Sequence, residues 1–246
     1  MWASYTHEML SRRVALAGLL APALRGQERK EKMFGDAEAY ERFMGRWSKM
    51  LAPLLVDFAD IGDTGRVLDV GSGTGVLAFS IAKMRAHCQV VGIDPSQEYV
   101  NYAKIKSPFP DRTSFEVGDA QQLRFADASF DNSLSLLVFN FIPDRMKALR
   151  EVSRVTKPGG CVAAAVWDYS AGMRMLRAFW DAAAKVDPAV AKSDESRMPL
   201  SHEGELGEFW RQGGLEQVTE RPLDITMRFA SLADYWNPFL LGQGPA

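Results

Sequence analysis

The chain has 246 residues, the length of one α/β domain with an extension, and its 47% hydrophobic residues suffice for a proper core. A net charge of -2 gives no reason to expect sequence-independent nucleic-acid binding, which needs a basic surface, and no apolar run is long enough to span a membrane. Cys88 and Cys161, with His7, His87 and His202, fall in no metal or disulfide spacing, so buried free thiols and no metal site are expected.

Residues 1–33 read apart from the rest. Arg12-Arg13 precede an apolar run, Val14 to Leu24, that ends in Ala21-Pro22-Ala23-Leu24, in the manner of a secretory or twin-arginine signal. The plainer reading, an untethered tail with a short amphipathic helix, is preferred. A charged linker, Gly26 to Lys32, leads to Met33, and the domain is expected over residues 34–246. From Ala37 to Ala59 apolar residues recur at helical spacing, including Tyr40, Phe43, Trp47, Leu51 and Leu55. Pro53 inside this pattern predicts a kink, or a second helix starting near it.

The stretch that organises the chain is Val67-Leu68-Asp69-Val70-Gly71-Ser72-Gly73-Thr74-Gly75. A buried strand ends in an acid and three alternate glycines, and the run Leu77 to Met84 reads as a helix. Strand, glycine turn and helix N-terminus form the first half of a nucleotide-binding unit. The dinucleotide fingerprint spaces its glycines G-x-G-x-x-G, whereas here the third comes one position early. Asp69 would repel a pyrophosphate and attract an ammonium group. S-adenosylmethionine, with an amino-acid end and no phosphate, suits that chemistry.

Further strands are expected at Gln89 to Asp94, Thr113 to Val117, Phe130 to Val138 and Cys161 to Trp167. Asp94 lies about 20 residues beyond the glycines, where an acid at the next strand's carboxyl end can accept from both ribose hydroxyls. Pro95 and Ser96 follow, the serine as helix cap. Asp119, in Gly118-Asp119-Ala120, could accept from an adenine amine, although alone it reads as a turn residue. Pro143-Asp144 open a helix that stops at Lys157-Pro158-Gly159-Gly160.

These four motifs in this order resemble the class I S-adenosylmethionine-dependent methyltransferases, small-molecule branch, of the type 11 kind. Tyr40-Glu41-Arg42-Phe43-Met44-Gly45-Arg46-Trp47-Ser48 resembles one group within it. The resemblance covers about Tyr40 to Trp167. It implies a Rossmann-like, doubly wound, mostly parallel sheet with helices on both faces. It implies that Asp69, Gly71, Ser72, Gly73 and Gly75 hold the methionine end of S-adenosyl-L-methionine, Asp94, Pro95 and Ser96 the ribose, and Asp119 and Ala120 the adenine. Ser135 and Leu136 would lie near the sulfonium. It also implies a cytoplasmic protein, against the signal-like segment.

The expected reaction is methyl transfer to a small-molecule acceptor by in-line displacement, which needs alignment more than chemical groups. Tyr40, Trp47, Phe141 and Trp167 are candidates for lining the acceptor pocket, with His202 a candidate base by residue type against the plainer reading of a solvated loop histidine. Residues 168–214 are expected to form a substrate-side insert, with a helix over Met173 to Val186 and a mobile loop over Asp187 to Pro199. Two other readings compete: a nicotinamide-dependent oxidoreductase, disfavoured by the glycine spacing and Asp69, and a non-enzymatic cofactor-binding relative. Leu215 to Phe229 reads as a sixth strand and Leu232 to Leu240 as a short helix capped by Ser231. The final antiparallel strand usual in the family has no counterpart before Ala246, so a sheet lacking it, in a truncated or impaired member, is expected.

Overall fold

The computed structural model describes residues 37–241. The signal-like run and the proposed boundary at residue 33 lie outside them. The chain enters through α1 (Ala37–Tyr40), a π-helical turn (Glu41–Gly45) and α2 (Arg46–Ala59). No new helix starts at Pro53, which lies inside α2. The proline forfeits one backbone hydrogen bond, and burial of Leu51, Ala52, Leu55 and Val56 around it keeps the helix whole.

Five strands follow with their connecting helices: β1 (Thr64–Val70), α3 (Val76–Met84), β2 (His87–Asp94), α4 (Gln97–Lys106), β3 (Thr113–Val117), β4 (Asn132–Leu136), α5 (Arg145–Val155) and β5 (Val162–Ala165). Every pairing is parallel, in the order β3-β2-β1-β4-β5. The order reverses direction at β1, so a crevice opens at the carboxyl ends of β1 and β4. Local signals set the helix starts: Gly75 takes φ +90 before α3, Ser96 accepts from the Tyr99 N–H, and Asp144 accepts from the Lys147 N–H.

Both sheet faces are covered. Val67, Val90 and Leu134 pack under α2 and α3 with Leu55 and Ile81. Leu68, Val70, Val91 and Ile93 point the other way, onto α5 and Trp210. Continuous apolar strands follow from this two-sided burial. A third cluster, with Phe43, Trp47, Tyr169, Met173, Trp180 and Phe239, joins the entering helix to the C-terminal part.

Beyond β5 come α6 (Arg174–Val186), 3-10 turns at Pro188–Ser193 and Glu195–Arg197, α7 (Glu205–Gln212), α8 (Leu232–Trp236) and a last 3-10 turn (Asn237–Leu241). The loop expected over Asp187 to Pro199 thus holds two turns and a buried acid, Glu195. The Asp187 and Asp194 side chains cap the turns by accepting backbone N–H groups. Helix α7 has no counterpart in the sequence reading: it is only eight residues long and contains Gly207, although Leu206, Phe209 and Trp210 share one apolar face. Trp210 fixes it by donating to the Val162 carbonyl at 3.0 Å.

The expected sixth strand does not form. Residues 215–229 pair with no strand, and among the described residues no antiparallel strand joins the sheet. The alternation is nevertheless real: Leu223, Ile225, Met227 and Phe229 are half-buried, while Asp224, Thr226 and Arg228 are exposed. A cavity of about 1180 Å³ separates this stretch from β5. A period of two tells which side of a strand is apolar, but not whether a neighbour lies within hydrogen-bonding distance. We expect Ile225→Asp to destabilise by roughly 1–3 kcal/mol and Thr226→Asp by under about 0.5 kcal/mol. Urea unfolding of the two variants checks this, and equal effects would refute the inward face.

Candidate functional site

The glycine turn sits at the sheet's switch point. Gly71, Gly73 and Gly75 all have positive φ, at 73, 50 and 90 degrees. At Gly71 a Cβ would stand 2.5 Å from Val138, and at Gly75 2.5 Å from the Phe79 ring, so both glycines are required by packing. At Gly73 a Cβ would meet nothing within 4 Å. Open space lies over the middle of the turn.

Asp69 lies beneath that turn, fully buried. Its Oδ2 accepts from the Ala78 N–H at 3.0 Å, in the first turn of α3, while Oδ1 has no partner. Burial pushes its carboxyl up to about 8, the Ala78 N–H opposes this, and the Asp94 charge adds to it. The Ser72 hydroxyl is also buried without a partner. Asp94, at the end of β2, accepts from the Gly73 N–H through Oδ2 and from the Ser96 N–H through Oδ1, each at 2.9 Å. Burial raises its carboxyl as well, against these two donors. Two adjacent acids, an orphaned carboxylate oxygen and an open glycine cradle fit a ligand with an ammonium group and hydroxyls. They do not fit a pyrophosphate.

The remaining cofactor candidates are less uniform. Pro95 is exposed beside the Ser96 cap. Asp119 is exposed, and its carboxylate accepts from the Gln121 N–H at 2.8 Å, as a turn residue would; Ala120 packs at the edge of the core. The Ser135 hydroxyl donates to the Val70 carbonyl at 2.8 Å and so braces β4 against β1. Leu136 is buried in the core under α2 and α3.

Of the acceptor-side candidates, Tyr40, Trp47 and Trp167 share the third core cluster, and Phe141 ends the 3-10 turn Phe139–Phe141 after β4. His202 does not join them. It is exposed beside Glu205, and with Trp167 it borders the β5 cavity. That cavity is large, yet none of Asp69, Gly71, Gly73, Gly75 or Asp94 lines it. It belongs to the unpaired sheet edge, and the crevice at the glycine turn is the better candidate because the buried acids converge there.

Several residues of this site carry no sequence signal. Glu41, in the π turn, accepts from the Thr74 hydroxyl at 2.6 Å and from Lys49 at 2.5 Å. It pins the entering helix to the glycine turn. Asn140, Tyr169 and Glu195 are each buried, with Tyr169 near the other two. Burial raises the Tyr169 phenol, helped by the Glu195 charge, and pushes Glu195 up to about 6. A buried polar residue inside an apolar stretch shows its position only once the chain is folded.

Residues 68–164 match the family described as a methyltransferase domain. A ubiquinone/menaquinone biosynthesis C-methyltransferase of Geotalea uraniireducens is 39% identical over 100 residues, 39% of this chain and 43% of the relative. The 27-O-demethylrifamycin SV methyltransferase of Amycolatopsis mediterranei is 38% identical over 101 residues, 40% of this chain and 37% of that protein. The chain thus spans about two fifths of the length of these curated relatives. Among solved structures, the complex of the Haloferax volcanii Trm112 methyltransferase activator with a methyltransferase matches 84% of this chain and 89% of its own at a TM-score of 0.61, with 24% identity. A SAM-dependent methyltransferase from Thermotoga maritima matches 73% of this chain and 81% of its own at 0.51, with 23% identity. At those identities the likeness is one of fold.

The raised carboxyls set a pH dependence. Ligand-free native protein holds a proton on Asp69 that the unfolded chain releases near pH 4, and burial shifts Asp94 in the same direction. The Asp69 contribution to stability is full below that pH and is lost as pH rises through about 8. We therefore expect the urea midpoint of ligand-free protein to fall between about pH 6 and pH 8.5, and to fall less in Asp69→Asn. An equal fall in both proteins would show that Asp69 is already ionised in the native state.

Proposed function

We propose that this chain, which belongs to the class I S-adenosylmethionine-dependent methyltransferases, moves a methyl group from S-adenosyl-L-methionine to a small-molecule acceptor, in the cytoplasm. The observation that carries the reading is the convergence of Asp69 and Asp94 on an open glycine turn. The two curated relatives support a small-molecule acceptor, since both are methyltransferases whose names refer to a quinone pathway and to a rifamycin.

The cofactor brings an already activated methyl group, so the chain's task is to hold, align and exclude water. In this reading Asp69 and the backbone of Gly71, Ser72, Gly73 and Gly75 hold the ammonium and carboxylate end. Asp94, kept in place by two backbone donors, takes the ribose hydroxyls through its remaining lone pairs, with Pro95 and Ser96 beside it. Asp119 and Ala120 flank the adenine. Leu136 belongs to the wall near the sulfonium, and Ser135 supports that wall through Val70. Tyr40 and Trp47 cover the site from the entering helix, and residues 168–214 close the acceptor side within a domain over residues 34–246. A base is needed only if the attacking atom carries a proton.

Calorimetry with S-adenosylhomocysteine and with NADH tests the reading: the first is expected to bind and the second not. Asp94→Ala should weaken S-adenosylhomocysteine binding by about 2–4 kcal/mol. Gly73→Val should nearly abolish it while leaving a folded protein, because its side chain enters open space. Its positive φ adds strain of about 1–2 kcal/mol. Unchanged binding in Gly73→Val would overturn the reading.

A further inference from the structure

Asn140 stands apart among the buried polar side chains. It is 4% exposed, and neither its Nδ2 nor its Oδ1 has a hydrogen-bond partner. Native proteins satisfy nearly all buried amides, so one with both ends open calls for an explanation. It is also carefully placed. β4 ends at Leu136, and Leu137 takes a left-handed φ of 64 degrees, uncommon for a bulky side chain. Val138 then packs against Gly71, so closely that a Cβ there would stand 2.5 Å from it. The turn Phe139–Phe141 is thereby laid beside the glycine turn, with Asn140 at its centre.

Two tyrosines complete the surroundings. Tyr169 is buried with its hydroxyl toward the Asn140 amide, short of a well-formed hydrogen bond. Tyr40 is close enough to feel the charge of Asp94, and Tyr169 is close enough to feel Tyr40. The Tyr40 hydroxyl meets the Ser48 hydroxyl at 3.3 Å, which fixes its ring. Asn140 and the two phenols therefore continue from the cofactor-side acids into the acceptor side. Charged groups nearby are already engaged: Glu195 accepts from the Trp180 indole, and Arg177 pairs with Asp194 at 2.6 Å. An anionic acceptor would find no free cation there, because Arg177 is held by Asp194, whereas a neutral one with an aromatic body would find two phenol rings and an unused amide.

We propose that Asn140 reads the acceptor, its amide donating to and accepting from one uncharged hydroxyl of a phenol or enol whose body rests against Tyr40 and Tyr169. This rests on the methyl-transfer reading and names the substrate class of that same site. The amide is then a group kept unsatisfied in the free protein so that the acceptor can satisfy it.

Ligand-detected NMR titration of the full chain, saturated with S-adenosylhomocysteine, tests this with phenol, benzylamine and benzoate as probes. The parent protein is expected to bind phenol in preference to the two charged probes. Asn140→Leu, nearly isosteric, should lose phenol affinity by about tenfold or more, with S-adenosylhomocysteine affinity within about twofold. It should also unfold at a higher temperature, because an unpartnered buried amide has been removed. Asn140→Ala should show the same loss of phenol. No preference for phenol in the parent, unchanged phenol affinity in the variant, or a lower melting temperature in Asn140→Leu would each overturn the proposal. Absence of S-adenosylhomocysteine binding by the parent would overturn the methyl-transfer reading and this proposal with it. Intact cofactor binding alongside unchanged phenol affinity overturns the proposal alone.

Discussion

One carboxylate holds the candidate site together. Asp94, at the end of β2, accepts a hydrogen bond from the Gly73 N–H and another from the Ser96 N–H. The first fixes the glycine turn after β1, and the second fixes the start of α4. Because both donors are backbone groups, the geometry depends on main-chain positions and not on flexible side chains. The parallel register sets the distance, since Val70 pairs with Ile93, one residue short of Asp94. Strand pairing, turn and helix start are thus settled by one buried charge with two donors, a favourable arrangement for an acid taken out of water.

That arrangement leaves electrostatic work undone. Asp69 and Asp94 raise each other's cost, and only three backbone N–H groups answer them. A protein that served only its own stability would gain from an amide or apolar side chain at one of these positions. The entering helix adds to the concentration of acids, because Glu41 is drawn against Thr74 by the same turn. Lys49 balances that charge on its outer side.

Much of this was legible in the sequence where one residue type has one physical use. Glycines at alternate positions after a buried strand announce a turn with positive φ. Asp94 announces itself by its distance from them, and Ser96 and Asp144 by capping chemistry. The division of the entering helix was not legible, because Pro53 is a visible breaker whereas the π turn at Glu41–Gly45 has no compositional mark. The stretch 223–229 has the alternation of a strand without the neighbour that would make it one. Asn140 sits between two phenylalanines and reads as an interruption in an apolar run. Its importance comes from what fails to touch it, and no local pattern encodes that.

The covering helix is closed from both ends of the described chain. Arg46 pairs with Asp234 at 2.9 Å, and its guanidinium lies 4.2 Å from the Trp47 ring centre and 4.8 Å from that of Phe229. The contact joins residues 188 positions apart. Closing so long a loop carries a large entropy cost unless the sheet between its ends is already compact. The clasp is therefore favourable only once the parallel strands between its ends have brought them together. The clasp ties α2 to the C-terminal segment through the Arg46 side chain, while the five strands and the glycine turn are held by their own backbone hydrogen bonds.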